Sequence, residues 1–333
     1  MPLVTPPRKI FLTNLGFRAE ASAADNSWQG IAWSPQLSLF VAVGDGATPV
    51  MTSPDGRVWT ARAASNQLWM DVAWSPALGL FVAVAQTGAQ RVMTSPDGIN
   101  WTLRNASNNA LLWKSVAWSP EKSIFVATHL TNSADVMTSV SGIAWATRAI
   151  DPLVTNGLNK VVWSRVHKLF FAVNSSVPPG RGASSPDGIV WTSVTLPDGG
   201  TRVWGSIAVS PTLKRIVILS ETPAGTSAAA FSDDGITFTH SVTLVPSLLW
   251  RSAVWSETFN AYIAVAQNGV GVANQVIFSR DGTTWIAGES ANLLEWRAMA
   301  QSKEVGAVVG VAQTGVGNRV QRSCAGFRIV PRF

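Results

Sequence analysis

Residues 28–43 read WQGIAWSPQLSLFVAV, residues 69–84 read WMDVAWSPALGLFVAV, and residues 113–128 read WKSVAWSPEKSIFVAT. Looser copies follow: LNKVVWSRVHKLFFAV at 158–173, WGSIAVSPTLKRIVIL at 204–219, WRSAVWSETFNAYIAV at 250–265 and WRAMAQSKEVGAVVGV at 296–311. Their starts lie 41, 44, 45, 46, 46 and 46 residues apart. Self-similarity at this period marks an array of supersecondary units, here seven.

A second landmark keeps step with the first. SPDGRVWT (53–60), SPDGINWT (95–102) and SPDGIVWT (185–192) each close a unit. The seven turns are Asp55-Gly56, Asp97-Gly98, Ser141-Gly142, Asp187-Gly188, Asp234-Gly235, Asp281-Gly282 and Ala325-Gly326. Asp-Gly supplies the positive φ angles of a type I′ hairpin. Each unit holds four short strands, in the first at residues 29–34, 39–43, 49–53 and 58–62. Four strands in 40–50 residues is the size of a propeller blade. The fold predicted is therefore all-β: a seven-bladed β-propeller with four antiparallel strands per blade.

Simple alternation places Trp28, Gly30 and Ala32 on one face of the first strand and Ile31 and Trp33 towards the other. Both faces are apolar or small, as in a strand sandwiched between neighbouring sheets. The 16 tryptophans occupy three repeat positions, so they read as blade-packing residues rather than a ligand cage. Residues 10–20 and 320–330 both resemble the last half of a blade. The chain divides into residues 1–27, an N-terminal extension or ring-closing or docking hairpin, and the propeller at 28–333. Blades start near 28, 69, 113, 158, 204, 250 and 296. The hairpin either closes the ring beside the other terminus or docks on a neighbouring subunit.

Composition narrows the function classes. Only 13% of residues are charged, and the net charge is +6 with no Lys or Arg run that suits nucleic acid. Single Cys324 excludes an intrachain disulfide. The N-terminus carries no signal-peptide pattern, and no apolar run is long enough to span a bilayer as a helix.

Ser-x-Asp-Gly-x-x-Trp resembles the Asp-box, the bacterial neuraminidase repeat, although Asp and Gly are adjacent here where the usual pattern has one more residue between them. The resemblance implies that Asp55, Asp97, Asp187, Asp234 and Asp281 brace hairpins, with weaker turns at Ser141 and Ala325. The longer pattern WSP…LFVAV…MTSPDGxxWT resembles propeller repeats of tailed-bacteriophage virion and tail proteins. That resemblance implies a non-enzymatic virion component, tail or capsid-associated, made in a host cytoplasm. It would dock on other virion proteins or a host receptor, possible homo-oligomers included. A glycan-binding lectin is the alternative.

The residues themselves suggest no catalytic constellation. A sialidase needs a nucleophilic Tyr, but Tyr262, the single tyrosine, falls on the core position of Phe40, Phe81, Phe125 and Phe170. Glu221, Glu257 and Glu295 are scattered without a recurring carboxylate pair. His129, His167 and His240 share no metal-ligand spacing, so neither metal nor cofactor is expected. Cys324 occupies a turn position. Arg62, Arg104 and Arg148 recur after the turn tryptophan, as a solvated outer-strand position or a basic stripe. Binding is expected on the variable second-to-third loops, where Arg91, His129, Asn132, Arg181, Asn268, Asn274 and Arg319 are the candidates.

Overall fold

A computed structural model describes residues 11–131, 133–154, 157–174, 181–222, 227–242, 248–267 and 275–328. Among them 28 strands form seven four-stranded antiparallel sheets, the blades of a β-propeller. In blade one the strands are Ser27–Ser34, Leu39–Asp45, Val50–Ser53 and Thr60–Arg62, paired in sequence order. The inner strands of the other blades are Trp69–Ser75, Trp113–Ser119, Leu158–Ser164, Trp204–Ser210, Leu249–Ser256 and Trp296–Ser302. First-to-second and third-to-fourth turns lie on one face of the disc. Second-to-third loops and inter-blade links lie on the other.

Both hairpins of a blade are shaped by short polar side chains. After the inner strand the chain enters a left-handed residue: Gly79 and Gly306 in two blades, and Ser38, Ser123, Lys168, Lys214 and Asn260 in the others. The serine ending the inner strand steadies this turn. Ser34 Oγ accepts from Leu37 N at 3.2 Å, and Ser75, Ser119, Ser210 and Ser302 repeat the bond. The recurrent serine of the WS pair is thus a turn brace.

In the third-to-fourth hairpin, Gly98 N donates to Ser95 Oγ at 2.8 Å, and Ile99 N and Asn100 N both donate to Asp97 Oδ1 at 2.8 Å. Trp101 Nε1 donates to Gly98 O. This is not a type I′ turn. Only the glycine has positive φ, 73° at Gly98, and the aspartate stays in the ordinary region. The aspartate serves as an acceptor, so it has no need of a left-handed backbone. Backbone donors hold the carboxyl of Asp97 low, at about 2, against the desolvation that would raise it. Gly98 is also required by space, because a Cβ there would lie 2.8 Å from Val41 of the preceding blade. Blade three carries Ser141 instead, and its bonds from Ile143 N and Ala144 N lengthen to 3.2 and 3.4 Å.

There is no central core. Seven apolar clusters each lie between two neighbouring blades. The opening tryptophans Trp28, Trp69, Trp113, Trp204, Trp250 and Trp296 are fully buried in them. Alternation fails at one place. Trp28 packs with Ile31 and Trp33 against blade seven, while Ala32 packs towards blade two. The pairing Trp28↔Gly44 is followed by Gly30↔Val43, so Gln29 is a bulge and the parity slips by one residue.

The second tryptophan of the inner strand bridges blades. Trp33 Nε1 donates to Glu304, Trp74 to Gln36 and Trp163 to Glu121, each on the first turn of the preceding blade. Ala77 and Thr212 stand where Trp118 and Trp255 need an acceptor, and both indole N–H groups are buried without one.

The strand Phe11–Glu20 pairs antiparallel with Val320–Arg328, so the outermost strand of blade seven comes from the opposite end of the chain. The seventh turn expected at Ala325-Gly326 is absent. Both residues lie within the strand, opposite Leu15 and Asn14. Cys324 is likewise a strand residue, its Sγ 3.3 Å from Gly16 O. A strand from the N-terminal end fills the edge, so no hairpin needs to turn there.

Two outcomes follow from these contacts. Ser141→Asp should raise stability by about 0.5–1 kcal/mol, read by chemical denaturation, because a carboxylate shortens two N–H bonds at the turn. Removing residues 1–20 should leave Val320–Arg328 as an open edge and produce aggregation or a lower Tm by size-exclusion chromatography and calorimetry. A truncated chain that stays monomeric with an unchanged Tm would refute the closing role.

Candidate functional site: the channel mouth

The bulge at Gln29 recurs in every blade. The register slips between Trp69/Asp71, Trp113/Ser115, Leu158/Lys160, Trp204/Ser206, Trp250/Ser252 and Trp296/Ala298. A bulge re-aims the extra residue, here out of the blade sandwich at the loop-side end of the inner strand. The extra residues are Gln29, Met70, Lys114, Asn159, Gly205, Arg251 and Arg297. Everything around this position repeats, yet this position differs in most blades.

Blade five fills its place from elsewhere. Gly205 has no side chain, and a Cβ there would overlap Glu221. Glu221 follows the second strand, anchored by its own N–H to Val203 O at 2.8 Å, and reaches over Gly205. Its carboxylate accepts from Asn159 Nδ2 at 3.1 Å and pairs with Arg251 Nη1. Arg251 Nε also donates to Gln267 Oε1 at 2.9 Å. Arg297 Nη2 lies 3.3 Å from Glu295 Oε2.

One residue deeper, side chains clamp blade to blade. Asp71 Oδ2 accepts from Ser115 Oγ at 2.8 Å, Val116 N at 3.2 Å and Lys160 Nζ at 2.7 Å. Ser115 Oγ accepts from Val161 N, and Ser252 Oγ from Met299 N. These bonds satisfy inner-strand N–H groups that have no ladder partner on the channel side. Lys160 of blade four reaches Asp71 of blade two, so this network spans blade three.

Lys114 is the exception in the ring. It forms no hydrogen bond or ion pair among the described residues. Every nearby carboxylate is already engaged: Asp71 by Lys160, Glu221 by Arg251, Glu295 by Arg297. Its side chain is half-buried. Desolvation is the main cause that pushes its ammonium down to about 8. Arg251, Arg297 and Lys160 act in the same direction, and Glu221 opposes them. Burial and Arg251 also lower the pKa of Arg297. The mouth thus gathers Lys114, Lys160, Arg251 and Arg297 against Asp71, Glu221 and Glu295.

Of the candidates on the variable loops, Arg91, His129, Arg181 and Arg319 make other contacts. Arg91 donates to Leu111 O at 2.6 Å and Gly88 O at 3.2 Å, strapping its loop to the next link. Arg319 does the same, to Asn26 O at 2.7 Å and Gln313 O at 2.8 Å. His129 is buried, 2.5 Å from Asp135 Oδ1 and edge-on to Trp113. Arg181 reaches Thr195 Oγ1 at 3.5 Å at the blade edge. Asn132, Asn268 and Asn274 lie outside the described residues. Asp55, Asp97, Asp187, Asp234 and Asp281 all accept from backbone N–H groups at the opposite face. Arg62, Arg104 and Arg148 each donate Nε to a threonine of the adjacent strand, Thr52, Thr94 and Thr138. Tyr262 is buried, and its hydroxyl donates to Arg215 O at 2.7 Å. Among the described residues no group of three His, Cys, Asp or Glu could hold a metal ion.

Sequence variation points to the loops, whereas the signal of the ring is one residue wide: the letter after the opening residue of each repeat. Glu221 and Glu295 are scattered in the sequence because the circle brings together residues 30 or more apart.

Comparison with solved structures supports the architecture. A streptogramin B lyase superposes with a TM-score of 0.75 at 9% identity, covering 95% of this chain and 99% of that one. A catalytically inactive virginiamycin B lyase from Staphylococcus aureus, solved with quinupristin, gives 0.74 at 8% identity, covering 93% and 99%. A chain of the mitotic checkpoint complex gives 0.65 at 12%, covering 98% and 96%. No family model and no curated protein matches the chain. At such identities the likeness is one of fold. It nonetheless overturns the expectation of a non-enzymatic virion propeller, and equally the lectin alternative. The leading similar structures are enzymes, and none of these comparisons carries the bacteriophage or Asp-box resemblance. The long repeat pattern WSP…LFVAV…MTSPDGxxWT follows from blade architecture, and a shared blade does not carry a shared role.

The lowered Lys114 pKa has a stability consequence. Its charged form is penalised in the fold, in full below about pH 8. The penalty is relieved between about 8 and the ordinary lysine value, where the unfolded chain still binds the proton. Relative to Lys114→Met, wild-type stability should therefore rise by about 2 kcal/mol between pH 7 and pH 9.5. Urea denaturation of both proteins at pH 7 and pH 9.5 measures it. Parallel pH profiles would show that Lys114 is not desolvated.

Proposed function

We propose that this propeller binds a small carboxylate-bearing molecule in the channel mouth and acts on it as an enzyme. The observation that carries the reading is the unpartnered Lys114 in a ring where every acid is already taken. Lys114, Lys160, Arg251 and Arg297 bring four positive charges against Asp71, Glu221 and Glu295. An incoming anion supplies the missing counter-charge. Enclosure lowers the local dielectric, so that contact is worth more than on a surface. Arg251 and Arg297 offer guanidinium forks suited to a carboxylate. The lyases of similar fold are a precedent for chemistry on a seven-bladed ring.

The bulge geometry supports the same conclusion. Seven inner strands converge on the axis, so six bulge side chains, with Glu221 in the place left by Gly205, are held there by the strands. Sites built on strands are held more rigidly than sites on loops.

Glycolate is a suitable probe, with methyl phosphate as the phosphate counterpart. Titration calorimetry should show saturable glycolate binding that weakens with salt and falls at least about ten-fold in Arg297→Gln. Tighter binding of methyl phosphate would reassign the anion to the phosphate class. Glycolate binding unchanged by Arg297→Gln, or none at all, would overturn the carboxylate reading.

A further inference from the structure

We infer that Lys114 is a carbonyl-reactive nucleophile, and that the molecule taken at the channel mouth is a small 2-oxo acid or aldehyde acid held as an imine on its amine. This rests on the anion-binding reading above and goes beyond it. Glycolate-type recognition needs only charge, whereas the inference assigns a covalent bond to one atom, Lys114 Nζ.

The argument begins with the contrast between two lysines of the same channel. Lys160 Nζ sits 2.7 Å from Asp71 Oδ2, so it already has its counter-charge. Lys114 emerges from the bulge between Trp113 and Ser115, the position that Arg251 and Arg297 occupy in blades six and seven, and their charges and that of Lys160 disfavour its ammonium. Its one favourable neighbour, Glu221, already accepts from Asn159 and Arg251. A lysine beside other cations in a desolvated site loses its proton readily, and the free amine is the nucleophile. At about 8, its pKa leaves a substantial neutral fraction near neutral pH.

The same neighbours define what can reach it. A neutral aldehyde gains nothing from Arg251 and Arg297. A carboxylate next to the carbonyl is drawn to them and brings its carbonyl carbon towards Nζ. The step balances without any further reagent. The amine lone pair forms the C–N bond, the carbonyl oxygen leaves as water with the two amine protons, and an imine remains. Water reverses it.

No other described residue offers this combination. Arg18, Arg57 and Arg322 border a polar hollow with Cys324 near the closing strand, but Arg322 is engaged with Asp55 O at 3.0 Å and Arg18 and Arg57 are exposed. The hollow by Trp163 and Trp255 is lined mainly by apolar side chains with Glu257 and Gln301, and holds no amine or thiol.

The test uses the full chain with cyanoborohydride, which reduces an imine to a stable secondary amine. Glyoxylate is the anionic carbonyl probe and acetaldehyde the neutral one. Peptide mass mapping reads the extent of modification at Lys114, Lys160 and exposed Lys122 in one sample. The expected result is glyoxylate modification at Lys114 at least ten-fold faster than at Lys122 or Lys160, slowed by glycolate. Arg297→Gln should slow glyoxylate but not acetaldehyde. Modification of Lys114 no faster than Lys122 overturns the inference. If glycolate still binds in that case, the anion-binding reading stands without it. Equal rates with acetaldehyde and glyoxylate, with no glycolate protection, overturn both.

Discussion

A four-stranded sheet with two apolar faces cannot stand alone in water. It has to be covered on both sides, and here each blade is covered by its two neighbours. Burial of this kind yields roughly 25 cal/mol per Å² of apolar surface, so a tryptophan closed between blades contributes several kcal/mol. The requirement propagates around the circle and is met only if the last blade reaches the first. The cluster of Trp28 and Ile31 with Val309, Val311 and Val320 is that junction. Pairing of the two terminal strands makes the junction blade complete, so ring closure rests on backbone hydrogen bonds as well as on packing.

Closure also creates the channel. Seven inner strands have a free edge facing the axis, and their N–H groups need partners. Asp71, Ser115 and Ser252 supply some of them across the blade boundary. The bulge just before this clamp performs a second task. It flips the parity so that the opening tryptophan packs with Ile31, and in six blades it places a side chain at the ring. One backbone irregularity, repeated seven times, therefore serves both core packing and the construction of a polar ring. The repeat carries Gln, Met, Lys, Asn, Gly and Arg at that position. Function can vary there without disturbing the fold.

The electrostatics of the ring show the same separation of roles. Asp97 and its equivalents are held ionised by backbone donors at the turn face, and their perturbation is structural. Lys114 is perturbed by enclosure and by like charges, with no bond to account for it. A shifted group engaged in a complete hydrogen-bond set has its reason already. A shifted group with none is poised for a partner. The three histidines do not join the ring: His129 bonds Asp135, His167 bonds Ser164 and Asp233 O, and His240 stands on an outer strand.

The seven-fold architecture was legible in the sequence, because spacing, paired landmarks and tryptophan positions are properties of the chain itself. Local alternation and turn chemistry fix each blade within its own 40–50 residues. What the sequence left undecided is whatever depends on closing the circle. The fate of residues 11–20, the absence of a turn at Ala325-Gly326 and the strand position of Cys324 all follow from pairing between opposite ends of the chain. The bulge could not be read either, since a one-residue slip leaves composition untouched and shows only in register. The convergence of Lys114, Glu221, Arg251 and Arg297 is the clearest case. They are separated in sequence by 107, 30 and 46 residues, and only the axis brings them together. Covalent neighbours set the blade, and the ring, which no single repeat contains, sets the site.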